Sequence, residues 1–166
     1  MRVHERAYIS DDGLYRYALT RGLGSLDGEG RCTFVMLNPS TADGVEDDPT
    51  IRRCIRFARE WGYRELKVVN LYALRATDPS KLWLADDPVG PLNDHTISLV
   101  FGGSDLIVAA WGAHARADRL AQFTEDFALW QFHALGLTKD GAPRHPLYLR
   151  ADSEPFEYDL LWRKAA

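Results

Sequence analysis

The sequence predicts a three-layer α/β/α sandwich around a mainly parallel central sheet, with an N-terminal β-hairpin at one edge. Three observations carry this expectation. Residues 34–37, 66–71 and 106–110 are near-continuous apolar runs, the pattern of strands buried on both faces. Segments with helix-capping punctuation separate them. Strand and helix therefore alternate, and right-handed crossovers put helices on both sides of a sheet.

The elements follow in chain order. Residues 7–9 and 14–19 are β-rich and flank Asp11-Asp12-Gly13, a tight-turn signal. Residues 22–30, "GLGSLDGEG", are a loop by composition. The first core strand then runs to Leu37 and breaks into Asn38-Pro39-Ser40-Thr41. Asp48 is a natural N-cap and Pro49 suits the first helical position. Ile51, Cys54, Ile55, Ala58 and Trp61 recur at spacings of three and four, and Gly62 stops that helix. Arg52, Arg53, Arg56 and Arg59 read as its solvated face. Asp43, Glu46, Asp47 and Asp48 read as loop and capping residues rather than a metal site.

The second strand is "ELKVVNLYAL", 65–74. A short helix capped by Asp78 follows, then a helix in "GPLNDHTISLVF" with Leu92, Thr96, Leu99 and Val100 on one face. "DLIVAAWG" is the third strand, and residues 115–135 carry the helical stripe Leu120, Phe123, Phe127, Trp130 and Ala134. Residues 147–149 are expected as a last short strand, and 155–166 as a short helix or covering segment.

The chain length suits one domain, 1–166, with a real core. No stretch approaches the ~20 apolar residues needed to span a bilayer, and Met1 to Arg6 lack a signal-peptide run. A soluble, cytoplasmic protein is expected. Cys32 and Cys54 both fall on apolar faces, which suits buried free thiols. A net charge of −4 argues against tight nonspecific nucleic-acid binding but leaves room for a locally basic groove.

In an open α/β sheet, ligands bind beyond the carboxyl ends of the strands. Asn38 to Thr41 follow the first strand, Asn70 and Tyr72 lie near the end of the second, and Trp111 to His114 follow the third. Asn70 stands out, because a buried amide inside an apolar strand needs partners. His145 precedes its expected strand; it reaches the same rim if "RHP" forms a turn beyond a strand near "FHALGLT". Both placements stay open.

The motifs "MLNPS" (36–40), "VVNLY" (68–72) and "RHPLY" (144–148), in this order, resemble those of the uracil-DNA glycosylase superfamily. Runs such as "MLNPSTAD", "DDPTIRRC", "VVNLYALRATDP" and "TKDGAPRHPLYL", over residues 6–150, more closely resemble a bacterial family of unknown function. Met36 replaces the glycosylases' usual glycine, and Leu147 the serine that follows His-Pro.

The glycosylase resemblance implies that fold and a cleavage of an N-glycosidic bond without metal or cofactor. Asn38 would position water and His145 would donate to the departing base anion. Asn70 would read the base edge, and Tyr72 or Trp111 would stack on it. Pro39, Ser40 and Thr41 would line the site, with Ser40, Thr41 and nearby backbone amides holding phosphate. Three readings remain: a glycosylase on a nucleobase in DNA, an enzyme on a free nucleotide, and a nucleotide or nucleic-acid binding module without chemistry.

Overall fold

The structure, a computed structural model, describes residues 5–161. Met1 to His4 and residues 162–166 lie outside the described residues, and with them most of the N-terminal hexapeptide and the end of the tail discussed above. The strands are β1 (Glu5–Ile9), β2 (Arg16–Gly22), β3 (Arg31–Met36), β4 (Glu65–Asn70), β5 (Leu106–Ala109), β6 (Phe132–Ala134) and β7 (Phe156–Tyr158). The helices are α1 (Pro49–Glu60), α2 (Asn93–Phe101) and α3 (Ala117–Phe127), with 3₁₀ turns at Pro79–Leu84 and Pro146–Tyr148.

One sheet runs in the order β1-β2-β4-β3-β5-β6-β7. The three expected core strands are adjacent and parallel: Phe34 stands opposite Val68 on one side and Val108 on the other. The sheet as a whole is mixed rather than mainly parallel. β2 folds back from the edge hairpin to pair antiparallel with β1 and β4, and β7 returns antiparallel beside β6.

Strand alternation divides the core. Phe34, Val68 and Val108 face α1 and pack with its Ile51, Cys54, Phe57 and Ala58. Val35, Val69 and Ile107 face the other way, onto Ile97 and Phe101 of α2 and Phe123 and Phe127 of α3. Helices thus cover both faces, and each of the valine, isoleucine and phenylalanine side chains contributes roughly 1.5–3 kcal/mol by leaving water. Helix α1 begins as its sequence requires: the Asp48 carboxylate accepts from the Ile51 amide at 2.9 Å. It ends before Gly62, whose φ of +84° is the left-handed conformation glycine tolerates.

Four expectations are corrected. The helix expected over 115–135 stops at Phe127, and Phe132–Ala134 form β6. The three-residue strand is too short to show alternation, and its Ala134 extends the helical stripe by coincidence of spacing. Residues 147–149 are no strand: Pro146 cannot donate to a ladder, and the segment winds into a 3₁₀ turn capped by His145. Within the described part of the tail, Phe156–Tyr158 form β7, a short edge strand whose Phe156 and Glu157 are exposed, so no core face marked it. On α2, Leu92 and Leu99 are exposed, while Ile97 and Phe101 are buried with Thr96 and Val100. Both cysteines are buried free thiols. Among the described residues no helix is long and apolar enough to cross a membrane, and no group of three or more His, Cys, Asp or Glu gathers as a metal site.

Candidate functional site

The carboxyl ends of β3, β4 and β5 open onto a cavity of about 510 Å³, within the range of ~300–1,000 Å³ usual for small-ligand sites. Met36 to Asn38 contribute from the end of β3, Asn70 from β4, and Trp111 to His114 from the segment after β5. The N-terminal turn of α1 adds Asp48, Thr50 and Ile51. The 3₁₀ turn adds His145, Leu147 and Tyr148. Parallel register makes this convergence possible: Met36 pairs with Asn70, and the Ala110 amide donates to the Val35 carbonyl at 2.9 Å.

Asn70 is the last residue of β4 and is 1% exposed. Neither its Nδ2 nor its Oδ1 has a hydrogen-bond partner. Its backbone is held from behind, where Asn93 Nδ2 donates to the carbonyls of Asn70 (2.9 Å) and Leu71 (3.2 Å). An amide left bare in this way costs roughly 1–3 kcal/mol.

Asn38 is differently placed. Its Nδ2 donates to the carbonyls of Pro39 (3.0 Å), Leu74 (3.4 Å) and Ala76 (2.8 Å). Carbonyls only accept, so these contacts fix the amide's orientation and leave Oδ1 as its remaining acceptor. The amide also ties the loop after β3 to the loop after β4.

His145 is half-buried and caps the 3₁₀ turn, its Nδ1 accepting from the Leu147 amide at 3.2 Å. A neutral imidazole that accepts at Nδ1 carries its proton on Nε2. Burial pushes the imidazole pKa below the ordinary histidine value, against a smaller opposing pull from Asp48, and so favours that neutral form.

Asn38, Ser40, Asn70, Trp111 and His145 therefore line one cavity; Pro39, Thr41 and Tyr72 do not. Trp111 is 3% exposed, and its ring packs edge-on against Phe123 and Tyr158 in the core layer of α3. Tyr72 lies in that same layer, edge-on to Trp83, with its hydroxyl accepting from the Arg116 amide at 3.2 Å. The exposed aromatic ring at the cavity is Tyr148.

Sequence reasoning also missed Arg16, the first residue of β2, which is 2% exposed and lines the cavity. In "LYRYAL" it reads as the solvent-facing position of an alternating strand, and nothing local marks it as buried. Burial lowers its pKa to about 10, outweighing the opposing pull of Asp48.

A mixed α/β sheet with a ligand-sized cavity, lined by both apolar and polar side chains, beyond its parallel strand ends is the class of protein defined here. The chain belongs to the family described as "Protein of unknown function (DUF1643)", whose model matches residues 16–147. That span runs from Arg16 through Leu147 and takes in every cavity residue but Tyr148. No curated protein and no solved structure matches the chain.

Proposed function

We infer that the cavity receives a nucleobase and that the protein is a uracil-DNA-glycosylase-like hydrolase of N-glycosidic bonds. The observation that carries this reading is Asn70. A side chain with one donor group and one acceptor, both unpartnered, at a cavity is complementary to the paired acceptor and donor of a base edge. Tyr148, exposed at the same cavity, supplies a ring for the base to stack on.

In the reaction, water oxygen bonds to the sugar C1′ while the C1′–N bond breaks and its electron pair leaves with the base. The water's proton ends on the base. His145 Nε2–H donates to the departing base, a preorganised dipole aimed at charge that develops only in the transition state. Asn38 Oδ1 accepts from the water and orients it. An amide removes no proton, so the rate would rest on leaving-group stabilisation.

Asn38 also favours a second reading, a binding module without chemistry, because an amide removes no proton from water and its Nδ2 bonds serve to tie the two loops together. One experiment separates the two: incubate the protein with nucleotides and with base-containing oligonucleotides, and assay free base by chromatography. Asn70-dependent release supports the hydrolase. Asn70-dependent binding without release supports the module. Neither binding nor release would end the base-site reading.

A further inference from the structure

Among the described residues three arginines are buried, and two of them pair with a carboxylate. Arg119, 3% exposed, donates through Nη1 and Nη2 to the two carboxylate oxygens of Asp94 and through Nε to the Leu71 carbonyl. Arg21, also 3% exposed, donates to Asp47 and to the backbone carbonyls of Thr20, Asp43 and Glu46. Arg16 is as deeply buried and has almost nothing. It makes one hydrogen bond, from Nη1 to the Ala42 carbonyl at 2.8 Å, and its Nε has no partner.

The arginine without a carboxylate partner is the one that lines the cavity. A guanidinium carries five N–H donors in a fixed fork, and burying it with one satisfied is unfavourable unless an anion completes the site. Asp48 shares the cavity, but its Oδ1 is held by the Ile51 amide as the cap of α1, and it makes no ion pair with Arg16. Ser40 and Thr50 offer hydroxyls in the same cavity.

We propose that Arg16 is the anchor of an anion subsite inside this cavity, and that the ligand is a free nucleotide whose phosphate monoester binds there. Guanidinium and phosphate match as fork to fork, by paired charge-assisted hydrogen bonds. A buried guanidinium suits the terminal group of a small ligand better than a polymer backbone, which tracks the surface. The acidic net charge of −4 agrees with this choice. The nucleoside half of the proposal rests on the base-site reading of Asn70; the anion subsite does not.

The test is calorimetric, on the full chain and its R16M and R16K variants. The probes are inorganic phosphate, four nucleosides, their 5′-monophosphates and a short single-stranded oligonucleotide. Inorganic phosphate is expected to bind the wild type, and the monophosphates to bind more tightly than their nucleosides. In R16M both effects should fall by about 10- to 100-fold, the loss of a charge-assisted pair. R16K keeps the charge without the fork and should fall in between. Monophosphates no tighter than nucleosides would overturn the anion subsite and leave the base site standing. That comparison needs only the wild type, so it decides the matter even if R16M does not fold. Arg16-dependent phosphate binding with no preference among bases would do the reverse. An oligonucleotide that binds more tightly than the monophosphates, and depends on Arg16, would overturn the free-nucleotide assignment.

Discussion

Asn93 Nδ2 donates to the main-chain carbonyl of Asn70 at 2.9 Å, while the side chain of Asn70 bonds to nothing. One amide is spent holding the backbone so that the other stays free. Asn93→Ala removes both of its carbonyl contacts and leaves the buried Asn70 carbonyl short of a donor, while the Leu71 carbonyl keeps its bond from Arg119 Nε. The expected loss of stability is roughly 1–3 kcal/mol, read as a lowered melting temperature, and base affinity should fall with it. A variant as stable and as tight-binding as the wild type would show that the clamp positions nothing.

Much of the frame was legible in the sequence and much of the rim was not, for physical reasons. Asp48 and Pro49 marked the start of α1 because a cap is a local interaction, written within four residues. The apolar runs around Phe34, Val68 and Val108 marked the core strands because burial on both faces leaves little room for polar side chains. Asn70 was found for the same reason, as the exception in such a run. Arg16 was invisible because its burial comes from chain segments far away in sequence, as its bond to Ala42 shows. Tyr72 was expected at the ligand, yet its ring packs in the layer of α3, a choice of face that alternation alone does not reveal; Trp111 lines the cavity while its ring packs in that same layer.

Arg16→Met should leave the ligand-free protein as stable as before or more so. The buried charge is lowered in pKa to about 10 by desolvation, and one bond to Ala42 does little to offset that. Replacing a buried ion pair with apolar side chains of similar volume is often neutral or stabilising by about 1–4 kcal/mol, and a guanidinium without an ion-pair partner should follow the same direction, less the donor that the Ala42 carbonyl loses. Urea unfolding without ligand measures this; a large loss of stability would make Arg16 a structural residue.

His145 gives a pH signature. Its folded pKa lies below its ordinary value of 6.5 because of burial, so the unfolded chain binds the proton more readily. Stability linked to His145 is therefore fully present above pH 6.5 and is lost as pH falls through that value toward the folded pKa. Comparison of the wild type with His145→Gln by urea unfolding at pH 7.5 and pH 5 should show a smaller pH dependence in the variant. Identical pH profiles would contradict the buried, neutral imidazole.

Cys32 and Cys54 should be silent in the native state. Both are fully buried, and desolvation raises both thiol pKa values, so little thiolate forms. A thiol reagent at pH 8 should label neither cysteine in the native protein, and both after denaturation. Rapid native labelling would place at least one of them at an accessible surface.

The central claim is that the unpartnered amide of Asn70 receives a base edge. Its side-chain NH₂ gives a pair of proton–nitrogen signals, identified by their disappearance in Asn70→Ala. Titration of nitrogen-15-labelled protein with nucleoside monophosphates tests the claim directly. The expected result is that these signals shift and saturate with one class of base, and that Asn70→Ala weakens that ligand by roughly 1–3 kcal/mol without loss of fold. Signals that stay in place while a nucleotide binds, or affinity unchanged in Asn70→Ala, would contradict it.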